Sequence, residues 1–184
     1  MPGVAIIKRI LLVFLALLPV GVVADDTKHW CHVDDAACIV ADDAAAAGLP
    51  VLQPNGDARV VIIRLWSGIA ISDEMDVTEV FFEGNDGYFI TGKTQDEEKW
   101  AFSQKHPLSK TNFPTADIDN FLKDGKQDYG CPGVKDGSGL LIEIVGKGSY
   151  KAVAANNIGA CTSGSNKTIW QILDFVDHAM NKSR

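Results

Sequence analysis

Basic residues are in short supply in this chain: 17 lysines and arginines stand against 24 aspartates and glutamates, a formal charge of −7. A surface of that sign is repelled by nucleic-acid phosphates and anionic lipid, so nucleic acid is excluded as the expected partner. Histidine is scarcer still, with four in 184 residues. His29, His32, His106 and His178 are scattered, none beside a serine or cysteine in a recognised catalytic spacing. There is no G-x-S-x-G elbow, since Gly137-Ser138-Gly139 and Gly164-Ser165 read as glycine loops. A glycine-rich phosphate loop and an EF-hand are also missing, so no cofactor is expected. Paired C-x-x-C spacing is absent as well. His29 and His32 beside Cys31 make zinc the alternative to disulfides, but no metal is expected. No internal repeat, low-complexity tail or second domain is visible.

What is present begins with an export signal. Residues 1–24 carry Lys8 and Arg9, the apolar run Ile10–Leu18, a helix-breaking Pro19 and the small-residue end Val22-Val23-Ala24. The run is shorter than the ~20 residues of a spanning helix, so cleavage after Ala24 is expected, with a retained membrane anchor as the alternative. Cleavage removes two basic residues and no acidic one, leaving 15 against 24 and a mature charge of about −9. The predicted location is the periplasm or the cell exterior, with no membrane association after cleavage. An oxidising compartment and an even cysteine count favour two disulfides among Cys31, Cys38, Cys131 and Cys161. Of the three connectivities that four cysteines allow, Cys31–Cys38 and Cys131–Cys161 are expected. The second would contribute about 3 kcal/mol by loop closure.

The mature chain reads as an N-terminal helical arm, 25–57, packed on a single domain, 58–184. In the arm, Asp34 or Asp35 caps an alanine-rich helix that Gly48 and Pro50 end, and Asp42 and Asp43 face water. Ala58–Trp66 (ARVVIIRLW) is the strongest strand, buried over Val60–Ile63, with Arg64 marking where it emerges. Val77–Glu83 and Tyr88–Lys93 form a hairpin around Asn85-Asp86-Gly87, Glu97–Gln104 is a further strand, and His106 before Pro107 is a loop residue. Thr115 caps a short helix that Gly125 ends. A second hairpin turns at Gly146-Lys147-Gly148, and an amphipathic helix over Lys167–Asn181 closes the chain. Asn166-Lys167-Thr168 fits a glycosylation sequon but is read as the cap of that helix. The element order predicts an α+β fold: an antiparallel sheet of about five to six strands with helices packed on one face.

The second hairpin carries a pattern. Asp136-Gly137, Glu143, Gly148 and Tyr150 fit DG-x5-E-x4-G-x-Y, and Arg64-Leu65-Trp66 supplies an earlier R-x-W strand. From about Val60 onward the chain resembles a group of small bacterial exported proteins, some of them lipoproteins, that has no established activity. The resemblance implies the fold and the compartment, and it marks Asp136, Glu143, Tyr150, Arg64 and Trp66 as candidate binding residues. Two positions depart from the pattern. Leu140 stands where an aromatic is usual, and Lys151 where a histidine often follows the tyrosine, so any shared chemistry needing that histidine is missing.

Glu143 admits two readings. Among Leu140–Val145 it is a desolvated carboxylate with a raised pKa, suited with Asp136 to acid–base hydrolysis. Alternatively it lies on a solvated face, paired with Lys151 or Arg64, and Asp136-Gly137 is an ordinary turn. The second is favoured, so no catalytic residue is assigned beyond Glu143 and Asp136 as weak candidates. The aromatics Trp66, Phe81, Phe82, Tyr88, Phe89, Trp100 and Phe102 concentrate in the first sheet strands, under a helix or as an exposed binding face. The expectation is a non-catalytic, exported binding protein, of the inhibitor or immunity type, that covers a basic protein partner. The alternatives are an envelope hydrolase and a structural envelope component. Oligomeric state is not legible.

Overall fold

The computed structural model describes residues 35–54, 56–68, 75–95, 99–109, 113–126, 129–131, 139–156, 158 and 166–181. The expected signal, His29, Cys31, His32, Asp136 and Cys161 lie outside them. Residues from Cys31 onward form one unit by their own contacts.

Four strands are eight residues long: β1 (Val60–Ser67), β2 (Asp76–Glu83) and β6 (Gly139–Gly146), where β-branched residues recur, and the alanine-rich β7 (Ser149–Asn156), which pairs along the whole of β6. With β3 (Asp86–Gln95), β4 (Lys99–Phe102) and β5 (His106–Ser109) they build a seven-stranded antiparallel sheet of order β4-β3-β2-β1-β6-β7. β5 shares the outer edge of β3 with β4. Between them Ser103, Gln104 and Lys105 oppose Ile90 and Thr91, a bulge that twists the edge and hinders further pairing. Pro107, which lacks an N–H, is accommodated in this edge strand, and the His106 ring stacks on Phe89 at 4.7 Å. His106 is therefore a strand residue, not the loop residue expected.

Both hairpins turn in two residues. Gly84 has φ 64°, and the pairs Glu83↔Asp86 and Phe82↔Gly87 put the first turn at Gly84-Asn85. That is two residues earlier than the single-glycine signal at Gly87 implied, because Gly84 supplies the positive φ of a II′ turn. In the second hairpin Lys147 (φ 51°) and Gly148 (φ 76°) form a I′ turn that pairs Gly146 with Ser149.

Three helices complete the α+β fold: α1 (Ala36–Ala46), α2 (Thr115–Lys123) and α3 (Asn166–Asn181). Asp35 caps α1 by accepting from the Cys38 N–H at 3.1 Å, and Gly48 ends it at φ 67°. Thr115 is the first helical residue of α2 rather than its cap, since Pro114 occupies that position without a side-chain bond. Asn166 is buried at the start of α3, where it cannot present a glycan.

The sheet is larger than five to six strands, and the helices take both faces instead of one. Ile118 and Phe121 of α2 and Ile169, Ile172 and Val176 of α3 pack on Val61, Ile63, Val80, Phe82, Ile142, Ile144 and Val153. On the opposite face Val40 and Ala44 of α1 meet Trp66, Val77, Leu141 and Ala152. The reason is strand alternation: β1 and β6 are apolar at odd and even positions alike, so neither face can stay wet. Among the described residues no helix is long and apolar enough to cross a membrane.

Candidate functional site

Under α1 a row of charges crosses the three central strands. Register places Arg64 of β1 directly opposite Glu79 of β2 on one side and Glu143 of β6 on the other. All three are buried, with Arg64 0% and Glu143 1% exposed. Arg64 donates to Glu79 Oε2 from Nη2 at 2.6 Å and from Nε at 3.1 Å, and Nη1 donates to the Pro50 carbonyl at 3.1 Å. Its contact with Glu143 Oε2, 3.6 Å from Nη1, is electrostatic and too long for a hydrogen bond. Glu143 is held instead by the Trp66 indole N–H at 2.7 Å and the Tyr150 hydroxyl at 3.2 Å.

Four of the five residues that the hairpin pattern marks, Arg64, Trp66, Glu143 and Tyr150, are thus one network. The fifth, Asp136, lies outside the described residues. Three expectations change. β1 does not emerge at Arg64, which is fully buried and continues the strand to Ser67. Glu143 is not on a solvated face, because α1 covers it. It does pair with Arg64, but Lys151 is on the other face, opposite Ile144.

Burial pushes the Glu143 pKa up, opposed by the indole bond, the Arg64 charge and the Tyr150 hydroxyl. Burial, followed by the Glu143 charge, raises that of Tyr150. Asp43 of α1, expected in water, turns inward: its Oδ2 is buried without a hydrogen-bond partner. Desolvation, then Asp42 and Glu143, raise its pKa to about 6. Glu79 and Glu143 flank the Arg64 guanidinium, and Asp43 lies close enough to Glu143 for the two charges to repel, so burial and crowding favour the protonated form of Asp43 and of Glu143. With Glu143 sealed beneath a helix, the arrangement offers no route to a bulky substrate.

A second cluster fixes the opposite face. Lys151 donates from Nζ to the carbonyls of Phe121 (2.9 Å) and Asp124 (2.8 Å), to Asp124 Oδ1 and to the Tyr129 hydroxyl (3.2 Å). Tyr129 also donates to Asp124 Oδ1. An ammonium at the C-terminal end of α2 complements the helix dipole. Burial raises the Asp124 pKa, but the bonds from Lys151 and Tyr129 outweigh it and the net shift is downward. Burial and the Asp124 bond raise that of Tyr129.

α1 contacts β6 and β7; on β2 the same face is still buried at Val77 and Glu79, and it opens from Phe81 outward across β3 and β4. There Phe81 stacks on Tyr88 (5.0 Å) and Trp100 on Phe102 (6.0 Å), while Trp66 meets Trp100 edge-on at 5.9 Å. Phe81, Tyr88 and Trp100 are half-buried and Phe102 is 39% exposed. Trp66, Phe82 and Phe89 belong to the core, so the aromatics divide between the two expectations.

Sequence reasoning missed Glu79, Asp124 and Tyr129. For Glu79 the signal was present: in VTEVFFE it falls in phase with Val77 and Phe81, on an inward position. Neither Cys38 nor Cys131 is a free thiol, while Cys31 and Cys161 lie outside the described residues. No group of three or more His, Cys, Asp or Glu positioned for a metal occurs among the described residues. No protein-family model matches the chain, and no curated protein matches it significantly.

Proposed function

We propose that this is an exported, non-catalytic binding protein that engages a protein partner through the aromatic half of the α1-side sheet face. The observation that carries the reading is the stacked, half-exposed set Phe81, Tyr88, Trp100 and Phe102 beyond the cover of α1. Large rings fixed on a rigid sheet bury much area at little entropic cost when a partner arrives. The chain's acidity, 24 acidic residues against 17 basic, favours a basic partner, as for an inhibitor or immunity-type protein. Burial of Glu143 weighs against the hydrolase reading, since a general acid must reach its substrate. The apolar leader at residues 1–24 supports export, and the absence of free thiols at Cys38 and Cys131 supports disulfide bonding, for which the pairing Cys31–Cys38 and Cys131–Cys161 is proposed.

The test is capture of partners from an envelope extract by the purified protein and by a Phe102→Asp variant, at low and high salt. Loss of the captured species in the variant, with a cooperative melt retained at a modestly lower temperature because the Trp100 stack is lost, is the expected result. Equal capture by both proteins would remove the aromatic surface from the argument. Retention at high salt would remove the basic partner.

A further inference from the structure

The β2–β3 hairpin end carries two cross-strand pairs in succession on the α1-side face: Phe81↔Tyr88, then Glu83↔Asp86 at the turn. The aromatic pair is stacked, and the two carboxylates are exposed. Like charges directly opposite each other across a strand pair are destabilising, so the fold bears a cost here that any cation placed between them would relieve. Arg59 lines the same groove and is shared between Asp57 and Glu83, with Asp57 the tighter partner. It holds Asp57 from Nε (3.1 Å) and Nη2 (2.8 Å) and makes a longer ion pair with Glu83 at 3.8 Å, which leaves Asp86 the less compensated of the two. The grip of Arg59 pulls the Asp57 pKa down to about 2.

Around these pairs lies an open groove of about 380 Å³, lined by Phe81, Tyr88, Glu83, Asp86, Arg59 and the glycines beside the turn. The rings are already used as a cation surface, since Lys105 places its ammonium 4.2 Å from the Tyr88 centroid. A long basic side chain matches both parts of this groove. Its methylene stem lies along the ring pair and its charged head reaches the carboxylates.

We infer that the groove at the β2–β3 hairpin end seats a lysine or arginine side chain of the partner protein, with Glu83 and Asp86 as its counter-ions and the Phe81–Tyr88 pair as its platform. The inference rests on the reading that the aromatic half-face binds a protein, and it adds the chemistry of the residue that enters first. The charge of the whole chain, −7, steers such a partner toward the surface.

The probe is a fluorescein-labelled hexa-arginine peptide, with hexaglutamate as control, followed by fluorescence anisotropy at low salt. The protein is expected to bind the arginine peptide and not the glutamate peptide. Joint substitution Glu83→Gln and Asp86→Asn is expected to weaken binding about five-fold, the worth of two exposed counter-ions. It should also leave the melting temperature equal or higher, because the like-charge pair is gone. A charge-matched control, Asp174→Asn with Asp177→Asn on α3, is expected to change binding by less than about two-fold. Equal losses in the two double variants would mean diffuse attraction and overturn the inference, as would no binding by the unsubstituted protein. Self-association that disappears with Glu83→Gln/Asp86→Asn would also overturn it, by making a second copy of the chain the occupant. The two readings separate in the envelope capture assay. If Phe102→Asp abolishes capture and Glu83→Gln/Asp86→Asn leaves it untouched, the surface stands and the groove falls; if neither has an effect, the surface falls too.

Discussion

Replacing Arg64 with methionine removes the cation from a row in which Glu79 is 7% and Glu143 1% exposed. Two carboxylates are then left without water and without their counter-ion. Breaking a buried pair from one side costs about 3–5 kcal/mol, against a total stability of about 5–15 kcal/mol for a domain. At about 2–4 °C per kcal/mol for a chain of this size, the melting temperature should fall by about 6–20 °C. The informative comparison is a triple variant, Arg64→Met with Glu79→Leu and Glu143→Gln. Methionine follows the arginine stem, leucine fills the space of Glu79, and glutamine keeps an acceptor for the Trp66 indole. The Pro50 carbonyl loses its donor in both variants, but Pro50 is exposed and water can serve it. The triple variant should lie within about 1 kcal/mol of the parent, or above it, because burying ions costs about as much as pairing them returns. Urea denaturation at neutral pH, followed by tryptophan fluorescence, measures both. If the triple variant is as unstable as the single one, the row contributes stability outright and the reasoning fails.

Four further outcomes are expected. A carboxyl whose folded pKa is raised from 3.8 to about 6 stays protonated in the folded chain where the unfolded chain has lost the proton. Asp43 therefore favours folding most below its ordinary pKa, and that advantage disappears as pH rises through about 6; Asp43→Asn should add about 1 kcal/mol at pH 8, after solvent screening, and almost nothing at pH 4. Lys151→Met takes the donor from two backbone carbonyls and the counter-ion from Asp124, which keeps its bond from the Tyr129 hydroxyl, and should cost about 2–4 kcal/mol in urea titrations. At Gly92 an added Cβ would lie 2.4 Å from Phe102 Cε1 and 2.9 Å from Val77 Cγ1, so Gly92→Ala should cost about 1–3 kcal/mol by displacing both, with the Trp100–Phe102 stack broken in the near-ultraviolet dichroism. Loss of the charged row should also loosen strand alignment: amide resonances of β1 and β6 in the triple variant are expected to be broadened or doubled, and one sharp set would refute an alignment role.

The sequence disclosed the sheet where local chemistry and global fold agree. Glycine at the second hairpin turn, β-branched runs over β1 and β6, and the apolar stripe of α3 each had one physical interpretation, whereas the first hairpin offered both Gly84 and Gly87. It misled where two principles competed. Arg64 inside VVIIRLW satisfies the rule that charges avoid dry strands only if the strand ends, or if counter-ions arrive from elsewhere in the chain. The second solution depends on Glu79 and Glu143, distant in sequence and brought together by pairing. The side of the sheet that α1 covers was illegible for a similar reason. An alanine-rich helix carries a weak stripe, and nothing in AACIVADDAAA states which face of which sheet it meets. Asp43 looked solvated because its neighbour Asp42 is, and a helix turns adjacent residues by about 100°. Candidate binding residues were found by pattern, but the pattern marks the buried row. The exposed rings follow only from knowing how far α1 reaches.

That the marked residues are buried alters what they are for. β1 and β6 present apolar side chains to both faces, so hydrophobic alternation fixes their mutual register only weakly. A slip of two residues would keep every side chain on its face and still place Arg64 opposite Leu141 or Val145, a guanidinium against a hydrocarbon. The correct alignment alone sets Arg64 between Glu79 and Glu143, with the Trp66 indole and Tyr150 hydroxyl closing on the latter. A row that adds little net stability can therefore separate one alignment from its neighbours by several kcal/mol, the cost of an unpaired buried charge. Phe81↔Tyr88 and Glu83↔Asp86 belong to the β2–β3 hairpin, whose two-residue turn sets their register by itself, whereas the charged row sets where that hairpin docks along β1. The Gly84-Asn85 turn therefore creates the aromatic groove, and the buried charges fix its position against the rest of the sheet.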